Sequence, residues 1–189
     1  MTRKSIRAAV IAASVAAVLQ IAGTAAAQTV SISGWTVPSS GRVAPCPSGT
    51  VMIGATTEAR DYLNAISPLC SAVTNAGRWT GTITRVAGPS GSQRASQPEY
   101  AIRDIKCAQN SAVIGMSGKT GSWIDSIRLR CRPLDYKNHT SGSVTVLAVS
   151  GGSGGTATGN RDCSSGKPVV EVSGRTDWYV NAVYMACAA

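Results

Sequence analysis

Phenylalanine is absent from the 189 residues, and aromatic side chains make up only 5% of them. A core without Phe has to be filled by Ile, Val, Leu and Met, so it is thin and gains from cross-links. His139 is the sole histidine and no C-x-x-C occurs, which leaves no ligand set for zinc; neither a metal nor a cofactor is expected. The nine acidic residues are scattered, and no phosphate loop or Ser-His-Asp order is present. Paired-carboxylate hydrolysis, phosphoryl transfer and triad chemistry therefore lack their residues, and no catalytic residue is assigned. Beyond residue 27 no stretch has helical periodicity, and none is apolar for long enough to cross a bilayer.

What is present is a sentence written three times. Cys46 to Cys70, Cys107 to Cys131 and Cys163 to Cys187 align without gaps, with 24 positions between the cysteines of each block, and they use all six cysteines. Each block carries a small polar residue (Thr56, Ser117, Ser173), then an aromatic (Tyr62, Trp123, Tyr179), then Asn64, Asp125 or Asn181, then Ile66, Ile127 or Val183. Periods of 61 and then 56 residues, carried by four kinds of column at once, mark a three-fold internal repeat. Six cysteines allow 15 pairings. The repeat favours 46–70, 107–131 and 163–187, and in the chain-entropy view each such loop contributes about 3 kcal/mol.

The start of the chain reads as a processing signal. Arg3, Lys4 and Arg7 precede an apolar run from Ala8 to Gly23, and Ala25-Ala26-Ala27 supplies a cleavage site, so residues 1–27 are expected to be removed and the mature chain to begin at Gln28. Residues 28–189 are expected to form a single three-repeat domain, secreted or periplasmic, where disulfides persist. Removing three of the 18 basic residues leaves 15 against nine acidic ones, a formal +6. That charge favours anionic surfaces such as acidic glycans or a bacterial envelope. The basic residues are too scattered for nucleic acid.

Taken in order, Thr29 to Val37 reads as a strand ended by Pro38-Ser39-Ser40-Gly41. In the first block Val51, Ile53 and Ala55 alternate with Met52, Gly54 and Thr56, Thr57 to Asp61 has the composition of a hairpin tip, and Leu63 to Cys70 returns. Ala76 to Gly91 suggests a strand pair, and Tyr100 to Ile105 leads into the second block; Pro133 to Ser141 reads as a polar connection and Val144 to Val149 as a strand. Each unit is then a pair of strands, a Gly-rich turn and a disulfide-tied hairpin. Three units sharing one core make an all-β domain with pseudo-three-fold symmetry, with a β-trefoil-like arrangement as the alternative.

At the hairpin tips the residues resemble a known family. Gly121-Ser122-Trp123-Ile124-Asp125-Ser126-Ile127 looks like the G-x-x-x-D loop of the jacalin-related lectins, and Ser150-Gly151-Gly152-Ser153-Gly154-Gly155 resembles their glycine-rich loop. The Cys-flanked units ending in Leu63-Asn64-Ala65-Ile66 and Ile127-Arg128-Leu129-Arg130-Cys131 are similar to those of the vitelline membrane outer layer protein family. Both resemblances imply a β-prism of three Greek-key sheets, here with one disulfide inside each repeat. The lectin resemblance also implies a carbohydrate site made by Gly121, Ser122, Trp123 and Asp125 with Gly151 and Gly152 beside it. The carboxylate would accept hydroxyl protons, the glycines would admit the ligand to the backbone, and Trp123 could offer its ring to the sugar.

Only unit two has the full pattern. Unit one has Arg60 and Asn64 at the two defining positions, and unit three has Asp177 and Asn181. An Asn or Asp in every unit also fits a turn cap, and Trp123, aligned with Tyr62 and Tyr179, equally fits a packed tip aromatic. Arg128, Arg130 and Arg132 alternate along one strand face, either as a solvated stripe or as a landing strip for an anionic partner. Two functions follow: a secreted lectin-like protein without catalytic activity, or an exported protein-binding, inhibitor or envelope-associated structural module on the same scaffold.

Overall fold

The computed structural model describes residues 28–34, 40–92 and 100–189. The signal peptide expected over residues 1–27, and the reach of the first strand to Val37, lie outside them. The described residues are organised as strands: β1 (Thr29–Ser33), β2 (Ser40–Pro45), β3 (Thr50–Ala59), β4 (Leu63–Val73), β5 (Trp79–Arg85), β6 (Ala101–Lys106), β7 (Ser111–Thr120), β8 (Ile124–Tyr136), β9 (His139–Thr140), β10 (Thr145–Val146), β11 (Ser150–Gly151), β12 (Thr156–Ala157), β13 (Arg161–Asp162), β14 (Val169–Thr176) and β15 (Val180–Cys187). No helix among the described residues is long and apolar enough to cross a membrane.

Three antiparallel sheets form a prism. One has the order β5-β4-β3-β6, the second is built on β10-β8-β7-β12 with β9, β11 and β13 also paired to its hairpin, and the third has the order β1-β15-β14-β2. Each sheet is centred on the long hairpin of one Cys block. The flanking strands follow their hairpin in units one and two, where the sequence reading had them precede it. The hairpin of unit three is flanked by β1 and β2, so the start of the chain completes the sheet that its end begins. β2 escaped the sequence reading because Ser40-Gly41-Arg42-Val43-Ala44-Pro45 has little apolar alternation and opens on turn residues.

Equivalent side chains from the three hairpins meet on the prism axis. Leu63, Ile124 and Val180, then Ile66, Ile127 and Val183, then Met52, Val113 and Val169 are fully buried in one cluster. Because Phe is missing, these aliphatic triplets and Met116 and Met185 fill the interior.

Each hairpin carries two bulges at the same places. The first lies between Met52 and Gly54, Val113 and Gly115, and Val169 and Glu171, so Ile53, Ile114 and Val170 are the extra residues. This corrects the simple alternation expected in the first block. Met52 and Ala55 face the axial core, while Val51 and Ile53 join a smaller cluster with Leu69, Val73, Ala112 and Leu134. A bulged residue leaves the ladder, and its carbonyl must find another partner. Here the partner is the first cysteine of the next unit: Cys107 donates its N–H to Ile53 O at 2.9 Å, Cys163 to Ile114 O at 2.7 Å, and Cys46 to Val170 O at 2.8 Å.

The disulfides pair as the repeat implied, 46–70, 107–131 and 163–187, with Cα separations of 5.7, 5.7 and 5.8 Å. Their position adds something that the sequence reading did not have. Cys46 follows β2 of the third sheet and bonds into β4 of the first; Cys107 follows β6 of the first and bonds into β8 of the second; Cys163 follows β13 of the second and bonds into β15 of the third. Each therefore staples one sheet to the next, and the three close a ring.

Candidate functional site

The second bulge of each hairpin lies beside its tip. The register skips between Glu58 and Ala59, between Lys119 and Thr120, and between Arg175 and Thr176, and the extra residues on the facing strands are Asn64, Asp125 and Asn181. The Asx column thus marks the position where the ladder is interrupted. The freed carbonyls again find a common partner. Gly91 donates to Asn64 O at 2.8 Å, Gly152 to Asp125 O at 2.9 Å, and Gly34 to Asn181 O at 2.8 Å.

Those three glycines also touch the tip of the neighbouring unit. A Cβ on Gly34 would lie 2.7 Å from the carbonyl oxygens of Gly121 and Ser122, one on Gly152 would lie 2.5 Å from Asp61 O, and one on Gly91 would collide with Trp178 O. Every tip is thus locked by a glycine of the next loop. Sequence reasoning had Gly152 as a ligand-side glycine and missed its structural half. The signal was available, since 91 − 70 and 152 − 131 both give 21, the same distance past the second cysteine. Gly34 has no such echo, because the third sheet borrows its flank from the chain start.

The three tip aromatics pack on one another. Ring centroids of Tyr62, Trp123 and Tyr179 are 5.0, 5.0 and 5.1 Å apart, with tilted or edge-on planes. The Trp123 indole N–H donates to Asp177 Oδ1 at 3.1 Å. Trp123 is thereby engaged in the tip cluster. Tyr100 joins the cluster through Tyr179; burial, helped by that hydrogen bond, pushes its hydroxyl up to about 12.

Around the Asx positions the units diverge. In unit three Asp177 stands where unit two has Gly121, and its carboxylate fills the space: the Asn181 amide donates to Asp177 Oδ2 at 3.2 Å, and Asp177 N–H donates to Asn181 Oδ1 at 3.1 Å. In unit one that place belongs to Arg60, and both polar atoms of the Asn64 amide are buried without a partner. In unit two Asp125 is 5% exposed, and its Oδ2 has no hydrogen-bond partner. Glycines surround this carboxylate. A Cβ on Gly121 would lie 3.4 Å from Oδ2 and one on Gly154 2.6 Å from Oδ1, and one on Gly155 would collide with Oδ2. Gly151 lies over the Asp125 carbonyl with a φ of +112°, a backbone that side-chain-bearing residues rarely adopt. The structure thus brings Gly121, Asp125, Gly151 and Gly152 together, with Gly154 and Gly155 as additions. Ser122 is exposed at the tip.

Asp177 ties the tip to pH. Burial raises its carboxyl, but the Tyr179 N–H, the Asn181 amide, the Trp123 indole and the Trp178 N–H together outweigh that and hold it below the usual carboxylate value. A group depressed in the folded state stabilises it above the unfolded pKa of about 3.9, and that stabilisation is lost as pH falls through the folded value. The stability gap between the wild type and Asp177→Ala is expected to be present at pH 6 and to shrink below about pH 4. Urea melts across that range measure it; a constant gap would remove Asp177 as the cause.

The arginine stripe splits three ways. Arg128 is exposed. Arg130 is 9% exposed and held by Asp162 through a two-pronged pair, 2.7 Å from Nε to Oδ1 and 3.0 Å from Nη2 to Oδ2. Arg132 is half-buried, and its Nε has no partner. An anionic partner would thus meet Arg128 first, with Arg130 already neutralised.

No family model matches the chain, and no curated protein does. Solved structures do. A lectin from Malaysian banana is 14% identical over 86% of this chain and 98% of its own, with a TM-score of 0.54. A mannose-binding lectin from Champedak is 16% identical over 86% and 97%, with a TM-score of 0.56. A mannose-specific jacalin-related lectin from Morus nigra, solved with mannose, is 18% identical over 88% and 98%, with a TM-score of 0.55. With three stapled sheets around one axis and these neighbours, the chain has the β-prism fold of the jacalin-related lectins.

Proposed function

We propose that the protein is an exported carbohydrate-binding protein that does not transform its ligand, and that it takes one hexose at the tip of unit two. The observation that carries this reading is the contrast among equivalent positions. Asp177 plugs the Asx residue of unit three, whereas unit two has Gly121 there, and the Asp125 carboxylate keeps an oxygen with no partner in the chain. A buried carboxylate oxygen left unpaired is costly, and ligand hydroxyls can donate to it. Gly121, Gly154 and Gly155 lie against that carboxylate where any side chain would press on it. Ser122 and Trp123 complete the loop, Trp123 as the packed residue that fixes its shape. The mannose in the Morus nigra complex makes mannose the first sugar to try. The three disulfides support an exported setting.

The test is a glycan array with the oxidised protein and Asp125→Ala in parallel. Loss of two charge-assisted hydrogen bonds lowers affinity by roughly a hundred-fold or more while the melting temperature holds. Undiminished binding by a folded Asp125→Ala moves the site elsewhere. Silence of the folded wild type across the array turns the reading to the protein-binding or envelope module.

A further inference from the structure

The glycine-rich segment of unit two separates two hollows on the prism surface. One, of about 400 Å³, is lined by Lys119 and Arg128 with Ser117, Ser126, Ser153 and Asn160. The other, of about 240 Å³, is lined by Arg60 and Arg103 with Ser150 and Gly151. Val149 borders both, and Gly152, whose N–H is bonded to Asp125 O, borders the larger. Among the described residues no carboxylate lines either hollow.

Two other cations of the same two sheets are by contrast paired. Arg130 is taken up by Asp162, and Arg85 lies 3.6 Å from Asp104. Ser117 faces Arg128 and Lys119 faces Ser126 across the β7–β8 ladder, so the two cations lie diagonally on one face of the hairpin. The Lys119 ammonium donates to Ser153 O at 2.8 Å, which holds it at the loop edge and leaves it two further donors. Arg128 makes no ion pair among the described residues, and its fork suits a carboxylate or sulfate. Arg60 already has Asp61 beside it at 3.8 Å, so in the smaller hollow Arg103 is the principal cation.

We propose that these hollows receive the acidic groups of an anionic polysaccharide, the larger through Lys119 and Arg128 and the smaller through Arg103, on sugars flanking the one in the tip. The proposal rests on the hexose reading above and adds the class of ligand: a glycan bearing carboxylates or sulfates. Positive charge on both sides of a single sugar subsite selects a chain that continues past it in both directions.

The experiment measures affinity of the full-length oxidised protein for polygalacturonate, heparin and neutral mannan at two salt concentrations. Wild type is expected to bind polygalacturonate or heparin about ten-fold or more tightly than mannan, with the advantage falling as salt rises. Binding of polygalacturonate shows that carboxylates suffice, and binding of heparin alone shows that sulfates are required. Lys119→Gln/Arg128→Gln is expected to weaken acidic-polymer binding about ten-fold and to leave mannan binding unchanged, and Arg103→Gln to act in the same direction. Equal affinity for neutral and acidic polymers, or full acidic binding by the double variant, overturns the proposal while leaving the hexose reading in place. Acidic binding that survives Asp125→Ala but is lost in the double variant supports the basic hollow and overturns the hexose reading.

Discussion

Removal of the three disulfides is expected to unfold the protein rather than soften it. Each cross-link joins the flank of one sheet to the hairpin of the next, so losing all three opens every seam of the prism. At about 3 kcal/mol apiece the loss is roughly 9 kcal/mol, as large as the whole net stability of an ordinary domain, about 5–15 kcal/mol. A core without Phe has little with which to offset it. Urea melts of Cys107→Ala/Cys131→Ala are expected to show a loss of about 3 kcal/mol, and the six-fold Cys→Ala variant no cooperative transition. A cooperative melt in the six-fold variant would show that the axial aliphatic triplets suffice alone.

The second large effect comes from one methyl group. Gly91→Ala places a Cβ against Trp178 O and the Tyr179 backbone while Gly91 N–H is bonded to Asn64 O. Backbone on both sides cannot rotate away. Either the loop lifts and the Asn64 carbonyl loses its donor, or the tip of unit three shifts and disturbs the aromatic cluster; each route costs about 2–3 kcal/mol. Gly41→Ala is the control, because its Cβ would meet only Gly174 O, at 3.8 Å. Urea midpoints should separate the two variants widely. If Gly91→Ala melts with the control, glycines do not lock the tips.

Much of this architecture is legible in the columns of the repeat. Cysteine spacing gave the pairing, and the aromatic and aliphatic columns marked Tyr62, Trp123 and Tyr179, and Ile66, Ile127 and Val183, as equivalent positions of the three units. The bulges are another matter. Nothing about Ile53 distinguishes it from an ordinary strand residue; only the Cys107 N–H, 54 positions on, shows why it leaves the ladder. Strands as short as β9 to β13 fall below any periodicity, and they exist because β7 and β8 offer them edges. At the tip, Gly121 and Asp125 were readable as a pair through a family likeness. Alignment with two tyrosines left Trp123 open between sugar platform and packed tip aromatic, and the packing that settles it comes from residues of both other units, 61 and 56 positions away.

The pairing of Thr29 with Ala186 has a consequence in time. Those partners are 186 − 29 = 157 residues apart, so β1 stays without its neighbour until the third hairpin has been made. Hairpins one and two can close as they emerge, because their flanks follow within a few dozen residues. The third sheet cannot, and the loop-closure entropy of the longest pairing falls due last. Until then β1 and β2 remain without the hairpin that lies between them, so an incomplete chain stays open along one seam.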